Sequence, residues 1–557
     1  MAPRKRLLPC LLPLLALSVF LLPIFAMGFP QGHDWLFELV RVVEFKSAMF
    51  NGQFPPYWAE NLYRGYGSPI FIFYAPLYLF TSSLCSVLAG SISVGSALSL
   101  IIFSLAAVFC VKILLDAVLN KKSFENDSAS RIAVYFFILH PYLICDMYLR
   151  NANAEFAALC VSPLALCGLL IIDRRPRPGG LLLAAGLALT ITAHNLTALI
   201  IFAVIITASL VMYLPKGKIS LWVTIVESVV LGLGLSAFFW VPSVYYKSLV
   251  QIEQMTSGKF DFHNQFQPIS SFFGYDSFFS TGLLTPLVLL FAIDVIWVAY
   301  CRNESSCTKP IVFALCVSVI FLFLQTRASV FIWDMVPYMK LFQFPWRMMG
   351  PLALATSMVA GLSFAYICKG KSKCDVFCLE IIFLIFCIMN AMPHLRDVKP
   401  LPRGVAMKLP YILSGEIINK EGFSATVLDE YLPRFAHADI RDRKATNKVL
   451  AADNIADIDI KVLKNSGTYI SLATNAKDSG KLQMARWYFP GWECTINSES
   501  QSVGTNKSGS INISISSGFN QITLQLKAPL LRRACVWISL VSLSIWCGIL
   551  VLPAIKQ

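Results

Sequence analysis

Long apolar runs alternate along this chain with short polar intervals, and that pattern sets its class before any motif is read. A helix needs roughly 20 predominantly apolar residues to cross the hydrocarbon core of a bilayer. Runs of that kind lie at 7–27, 93–118, 132–148, 154–172, 180–194, 196–213, 220–240, 281–300, 310–325, 349–368, 376–392 and 534–553, which predicts twelve transmembrane helices. Residues 69–90 are apolar enough to make a thirteenth. Parity argues against it: with twelve spans the clusters Lys121/Lys122, Arg174/Arg175/Arg177, Lys216/Lys218 and Lys369/Lys371/Lys373 all face the cytoplasm, and a thirteenth would turn them outward. We therefore read 69–90 as a re-entrant or interfacial helix. Pro69 and Pro76 at membrane depth need protein or a cavity beside them, so this segment is expected to form one wall of a site. Arg4, Lys5 and Arg6 precede the first run as in a signal peptide, but its apolar core is too long and its exit lacks a small-x-small site. It reads as an uncleaved first helix, with both termini cytoplasmic.

On this topology four pieces lie outside: 28–92, 241–280, 326–348 and about 393–532. The last alternates in strand fashion at Thr468-Tyr469-Ile470-Ser471-Leu472, Ile511-Asn512-Ile513-Ser514-Ile515 and Ile522-Thr523-Leu524-Gln525-Leu526, with Gly480, Gly491, Gly504, Gly509 and Gly518 between. A small β-sandwich is the expectation. The organisation is thus a transmembrane module over 1–392, whose first outer loop is 28–92. An extracytoplasmic β-rich domain over 393–532 and a final helix with a short tail over 533–557 follow it. Sequons at Asn506 and Asn512 fall on the outer side.

Composition agrees with the pattern. The 557 residues are 56% hydrophobic and only 14% charged, against about 25% charged in soluble domains. The formal net charge of +14 would suit nucleic acid if it were spread over one face. It falls instead in the short clusters that orient helices, so no nucleic-acid partner is expected. Most of the sixteen Cys lie in or beside apolar runs and only Cys494 lies in the large polar region, so no internal disulfide is expected there. No Walker loop, HExxH helix, CxxC pair or GxSxG elbow occurs, and the six His are dispersed at 33, 140, 194, 263, 394 and 437. An ATP-driven pump and an intramembrane metalloprotease are disfavoured.

Polar residues concentrate at the outer ends of the helices. Directly after the first run comes Gln31-Gly32-His33-Asp34-Trp35-Leu36-Phe37-Glu38, and Asp34, Glu38 and Arg41 share one face if the stretch is helical. An interfacial amphipathic helix with solvated charges would show the same spacing. Then follow Phe54-Pro55-Pro56-Tyr57-Trp58 and Arg64-Gly65-Tyr66-Gly67-Ser68-Pro69, where aromatic rings can stack on a sugar and Arg can pair with phosphate. An ordinary aromatic belt explains the rings but not the glycine order. Arg150-Asn151-Ala152-Asn153-Ala154-Glu155, Ala193-His194-Asn195 and Phe344-Pro345-Trp346-Arg347 reach the same outer side. Ionisable residues at such depths face a cavity or a partner. Arg150 with Glu155 also reads as a structural ion pair, and His194 as a hydrogen-bonding helix end. Arg347 is the better phosphate ligand, because an outward loop needs no such charge for orientation.

These motifs, in this order, resemble the glycosyltransferase-C (GT-C) superfamily of integral-membrane enzymes. More closely, they resemble bacterial membrane proteins catalogued as "6-pyruvoyl-tetrahydropterin synthase related". The supporting stretches are His33-Asp34, Phe54 to Trp58, Gly65 to Pro69, Arg150 to Glu155, His194, Phe344 to Arg347 and Tyr488-Phe489-Pro490-Gly491-Trp492. Pterin chemistry is not implied, since the H-x-H zinc pattern is absent. The superfamily resemblance implies transfer of a sugar from a polyprenyl-phosphate donor to a glycan, lipid or protein acceptor on the non-cytoplasmic face, periplasmic or luminal, and the closer family resemblance implies a bacterial inner membrane. The acid of the first outer loop maps to Asp34, the expected base, with His33 and Glu38 beside it. Donor phosphate is assigned to Arg347, Arg150, Arg64 and His194, and sugar or acceptor to Arg41, Tyr57, Trp58, Tyr66 and Glu155. Some relatives carry two adjacent acids where this chain has His33-Asp34, so no metal or other cofactor is called for. A transporter or flippase of lipid-linked saccharide, or a non-catalytic scaffold in envelope assembly, would use a similar groove without a base.

Overall fold

The computed structural model describes residues 4–119, 123–274, 280–424, 426–436, 449–453 and 457–551. Lys121, Lys122, His437 and the tail from 552 lie outside them. The chain is a multi-pass membrane protein. Among the described residues seven helices are long and apolar enough to cross a bilayer, or ten when each of three sharply bent pairs is taken as one span. The other two expected spans fall on the shorter apolar helix Leu11–Met27 and on the helix Pro176–Ala193.

The bends have local causes. Phe124–Ile138 and Pro141–Arg150 meet at 47° across His140-Pro141. The proline ring excludes the preceding residue from helical backbone, and His140 is extended (φ −66°, ψ 132°). Ile219–Leu235 and Ala237–Leu249 meet at 73° at Ser236, and Thr308–Phe323 meets Arg327–Met335 at 91°.

The segment 69–90 forms a one-turn helix, Ile70–Phe73, and a second helix, Pro76–Ala89. Pro76 starts the second and Gly90, at φ 65°, stops it. Its 14 residues rise about 21 Å, short of the roughly 30 Å core. It packs along Ile92–Leu119, where a Cβ on Gly95 would lie 2.3 Å from the Ser86 amide nitrogen.

Beyond the helix Lys373–Arg396 come two short helices, Arg403–Ile412 and Gly415–Glu421, before the strands begin. The strands are β1 (Val449–Asp453), β2 (Ile458–Ser466), β3 (Tyr469–Ala476), β4 (Gly480–Trp487), β5 (Trp492–Ile496), β6 (Glu499–Gln501), β7 (Gly504–Thr505), β8 (Ser510–Ile515) and β9 (Gly518–Leu526). They form two antiparallel sheets, β1-β4-β8-β7 and β2-β3-β9-β5-β6. Burial alternates along β9, where Ile522, Leu524 and Leu526 are covered and Gln521, Gln525 are not, as strand periodicity requires.

The segment 28–92 is fastened to these sheets. The Trp487 amide donates to the Tyr66 carbonyl at 3.1 Å, the Tyr57 hydroxyl donates to the Leu526 carbonyl at 3.0 Å, and the Gly467 amide donates to Glu60 Oε2 at 2.6 Å. Gly67 has φ +80°, and a Cβ there would sit 2.3 Å from Nε1 of the fully buried Trp58.

Candidate functional site

A cavity of about 1710 Å³ opens between the helices and the loops that join them. One end is polar, lined by His33, Asp34, Glu38, Arg41, Arg150, Glu155, His194, Arg347 and Glu430. The other runs down an apolar arm past Leu199, Ala203, Val204, Phe313, Val317 and Ile320. Leu199 and Ile320 are about half exposed on helices of spanning character, so the arm borders the lipid-facing surface.

The acidic wall is built by the helix Trp35–Phe50. Gly32 lets its N-terminus press against the turn after residue 148, since a Cβ there would fall 2.2 Å from Asn151 Oδ1. Three main-chain donors then tie the two segments: Gly32 N to Asn151 Oδ1 at 2.6 Å, His33 N to the Leu149 carbonyl at 2.9 Å and Asp34 N to the Arg150 carbonyl at 3.0 Å. Asp34 starts the helix, yet its side chain does not cap it, and the half-buried carboxylate faces the cavity. One turn on, Glu38 Oε1 accepts from Arg41 Nη2 at 2.5 Å and from the Tyr74 hydroxyl at 2.7 Å. Burial pushes the Glu38 carboxyl up, against the pull of Arg41 and Tyr74. Glu430, brought in by the chain leading to the sheets, accepts from the Thr426 hydroxyl at 2.6 Å, and burial raises it as well.

The basic wall comes from three other elements. The π-helical turn Cys145–Arg150 ends at Asn151 in left-handed backbone, φ 55°. Arg150 is gripped there by Asp146, by Glu155 Oε2 at 3.2 Å and by the Tyr142 hydroxyl at 3.2 Å, with its guanidinium 4.5 Å from the Trp346 ring centroid. Glu155 also accepts from Tyr142 at 2.6 Å and lies 3.5 Å from Arg347 Nε. Arg347 Nη1 donates to the Phe342 carbonyl at 3.0 Å. His194, where Pro176–Ala193 gives way to Asn195–Tyr213, caps the second helix through Thr197, whose amide donates to Nδ1 at 3.3 Å. Among the described residues no three His, Cys, Asp or Glu side chains are grouped to hold a metal ion.

Of the sequence-assigned site residues, the structure brings Asp34, His33, Glu38, Arg41, Arg150, Glu155, His194 and Arg347 around one cavity. Four lie away from that lining. Tyr57 lies against the guanidinium of Arg532 at 4.3 Å, Trp58 meets the Trp492 ring edge-on at 5.9 Å, and Tyr66 lies on Trp487 at 4.6 Å. These rings join the segment 28–92 to the sheets and none lines the cavity. Arg64, in left-handed backbone at φ 57°, turns to the Lys420 carbonyl. Its reach is taken by the short helix Gly415–Glu421. Four residues of the site escaped the sequence reading: Asp146, Tyr142, Tyr74 and Glu430. Asp146 had a signal, an acid inside an apolar run four residues before Arg150. The other three are brought in only by tertiary packing.

No family model matches the chain. A stretch of 266 residues, 46% of the chain, is 25% identical to an uncharacterized protein of Lactococcus lactis subsp. cremoris (strain MG1363), and spans 41% of that protein. Among solved structures, the oligosaccharyltransferase of Archaeoglobus fulgidus tethered with an acceptor peptide containing the NVT sequon is 11% identical, with TM-score 0.45 over 77% of this chain and 60% of that one. The archaeal oligosaccharyltransferase AglB from the same organism, in complex with an inhibitory peptide and a dolichol-phosphate, is 12% identical, with TM-score 0.43 over 78% of this chain and 61% of that one. The chain thus spans less than two thirds of each of these proteins. The functional reading rests on the cavity.

Proposed function

We propose that the protein is a GT-C-type membrane glycosyltransferase that moves a sugar from a polyprenyl-phosphate donor to a glycan, lipid or protein acceptor on the non-cytoplasmic face. One observation carries the reading: a single cavity joins a carboxylate without a capping duty, Asp34, to a fixed two-arginine wall and to an apolar arm open toward lipid. The arm suits the polyprenyl chain. Arg347 and Arg150 suit the phosphate, held in place by Glu155 and Asp146 before any ligand arrives.

Chemistry follows from that order. The acceptor hydroxyl gives its proton to Asp34 as its oxygen forms the new bond to the anomeric carbon. The bond from that carbon to the phosphate oxygen breaks, and the lipid phosphate leaves with the electron pair against Arg347. A single displacement of this kind inverts the anomeric centre. A placed base contributes roughly 100 to 10,000-fold, and pre-set cations lower the cost of the departing charge further. The β-rich part, read as a sandwich, sits on the first outer loop, where it can present an acceptor.

Native mass spectrometry of the protein in lipid nanodiscs with a long-chain polyprenyl monophosphate tests the binding half. Arg347→Gln should weaken retention of the lipid at least about tenfold, the scale of losing one charge-assisted contact, while Asp34→Asn retains it. Equal retention by wild type and Arg347→Gln would remove the phosphate assignment.

A further inference from the structure

Outside the cavity's polar end lies an arrangement that the proposed chemistry does not use. His263 sits between two carboxylates: Nδ1 is 2.6 Å from Asp261 Oδ1 in its own turn, and Nε2 is 3.0 Å from Asp334 Oδ1 on the helix Val330–Met335. Its ring stacks on Phe262 at 4.0 Å, and Phe262 stacks in turn on the buried Trp333 at 5.5 Å. Asp261 and Asp334 are the charged groups bonded to the imidazole, while Phe262, Phe266 and Trp333 packed there carry no charge.

The two segments so joined are both walls of the cavity. Met255 and Phe260 line it from one side, Met339 and Phe344 from the other. Two further ties close the same seam: Gln343 Nε2 donates to the Met255 carbonyl at 2.9 Å, and the Phe260 and Phe344 rings lie 6.0 Å apart. Neither of these titrates. Gln343, held in left-handed backbone at φ 61°, also takes Arg347 Nη1 at 3.4 Å, so the seam reaches a residue of the basic wall.

We propose that His263, clamped between Asp261 and Asp334, is a proton-operated latch that holds the two rim segments closed over the cavity and releases them when the imidazole loses its proton. Both ring nitrogens must be donors to satisfy two carboxylates, and only the imidazolium has two. The neutral ring keeps one bond and turns a lone pair toward the other carboxylate. Its hydrogen bond to Asp261 raises the imidazole above its ordinary value, a small cost of burial opposes this, and Asp334 adds to the rise. The latch therefore opens only on the alkaline side of the ordinary imidazole value.

Hydrogen exchange of the full chain in nanodiscs, corrected for intrinsic rates, reads the latch directly on peptides covering 252–266 and 336–348. In wild type the opening equilibrium should rise by up to about tenfold per pH unit across the imidazole's titration. Asp334→Asn should move that transition to lower pH, and His263→Gln should leave both segments less protected than acidic wild type, at a level flat between pH 5 and 8, because the Gln343 and Phe344 ties remain. His263→Lys, charged throughout, should remain protected over the same window. A wild-type profile without a transition, or the same transition in His263→Gln, would overturn the latch. Neither result bears on whether a sugar is transferred.

Discussion

The Asp34 amide donates to the Arg150 carbonyl at 3.0 Å, so the cavity's acid and its innermost arginine share one main-chain frame although 116 residues separate them. Asn151 holds that frame: its Oδ1 takes the Gly32 amide, its Nδ2 donates to the Met147 carbonyl at 3.2 Å, and its backbone is left-handed.

Asn151→Ala loses both bonds and must adopt left-handed backbone with a Cβ. It should cost about 2–4 kcal/mol from a stranded buried donor and strained backbone together. Asn151→Gly relieves the backbone and should recover about 1 kcal/mol of that loss. Thermal unfolding of both variants in one detergent checks the order; equal losses would show that the backbone conformation is not what selects asparagine.

Glu155 stands between Arg150 and Arg347 and is almost fully buried. Glu155→Ala removes a shared counter-ion and should destabilise by about 3–5 kcal/mol, the cost of leaving buried charge unpaired. Added polyprenyl phosphate should restore part of the lost melting temperature, because an anion then replaces the carboxylate. A variant as stable as wild type would mean that the two arginines are solvated and not a fixed wall.

The helical framework was legible because lipid forces apolar runs of one length, and each expected run falls on a helix or a bent pair. The acidic helix was legible through the spacing of Asp34, Glu38 and Arg41. What local pattern leaves out is partners: Tyr57, Trp58, Tyr66 and Arg64 form a motif suited to sugar and phosphate, and the fold sets them against Arg532, Trp492, Trp487 and the Lys420 carbonyl. Those partners lie more than 350 residues away, beyond the reach of local periodicity. Glu430 reaches the site by the same long-range packing, whereas Asp146 is signalled locally by its place in an apolar run one turn before Arg150.

Glu44, on the buried side of the helix Trp35–Phe50, takes the Asn61 amide at 3.0 Å and the Asn61 side chain at 2.9 Å. Burial nevertheless lifts its carboxyl to about 7. Because the folded value lies above the unfolded one of about 4.3, its contribution is full at low pH and is lost as pH rises through about 7. Unfolding free energy should therefore fall between pH 5 and 7, with a slope of up to about 1.4 kcal/mol per unit from this group, and the melting temperature should fall with it. Glu44→Gln should remove that component, and a slope unchanged in the variant would assign it elsewhere.

The central claim is that Asp34 takes a proton from an acceptor during sugar transfer. Mass spectrometry of lipid extracts and envelope glycans from cells carrying wild type, a deletion or Asp34→Asn tests it most directly. The account predicts that one polyprenyl-phosphate sugar accumulates alike in the deletion and in Asp34→Asn, with a glycan, lipid or protein lacking the corresponding residue. Full rescue of the deletion by Asp34→Asn would contradict it and leave transport or scaffolding as the work of this cavity.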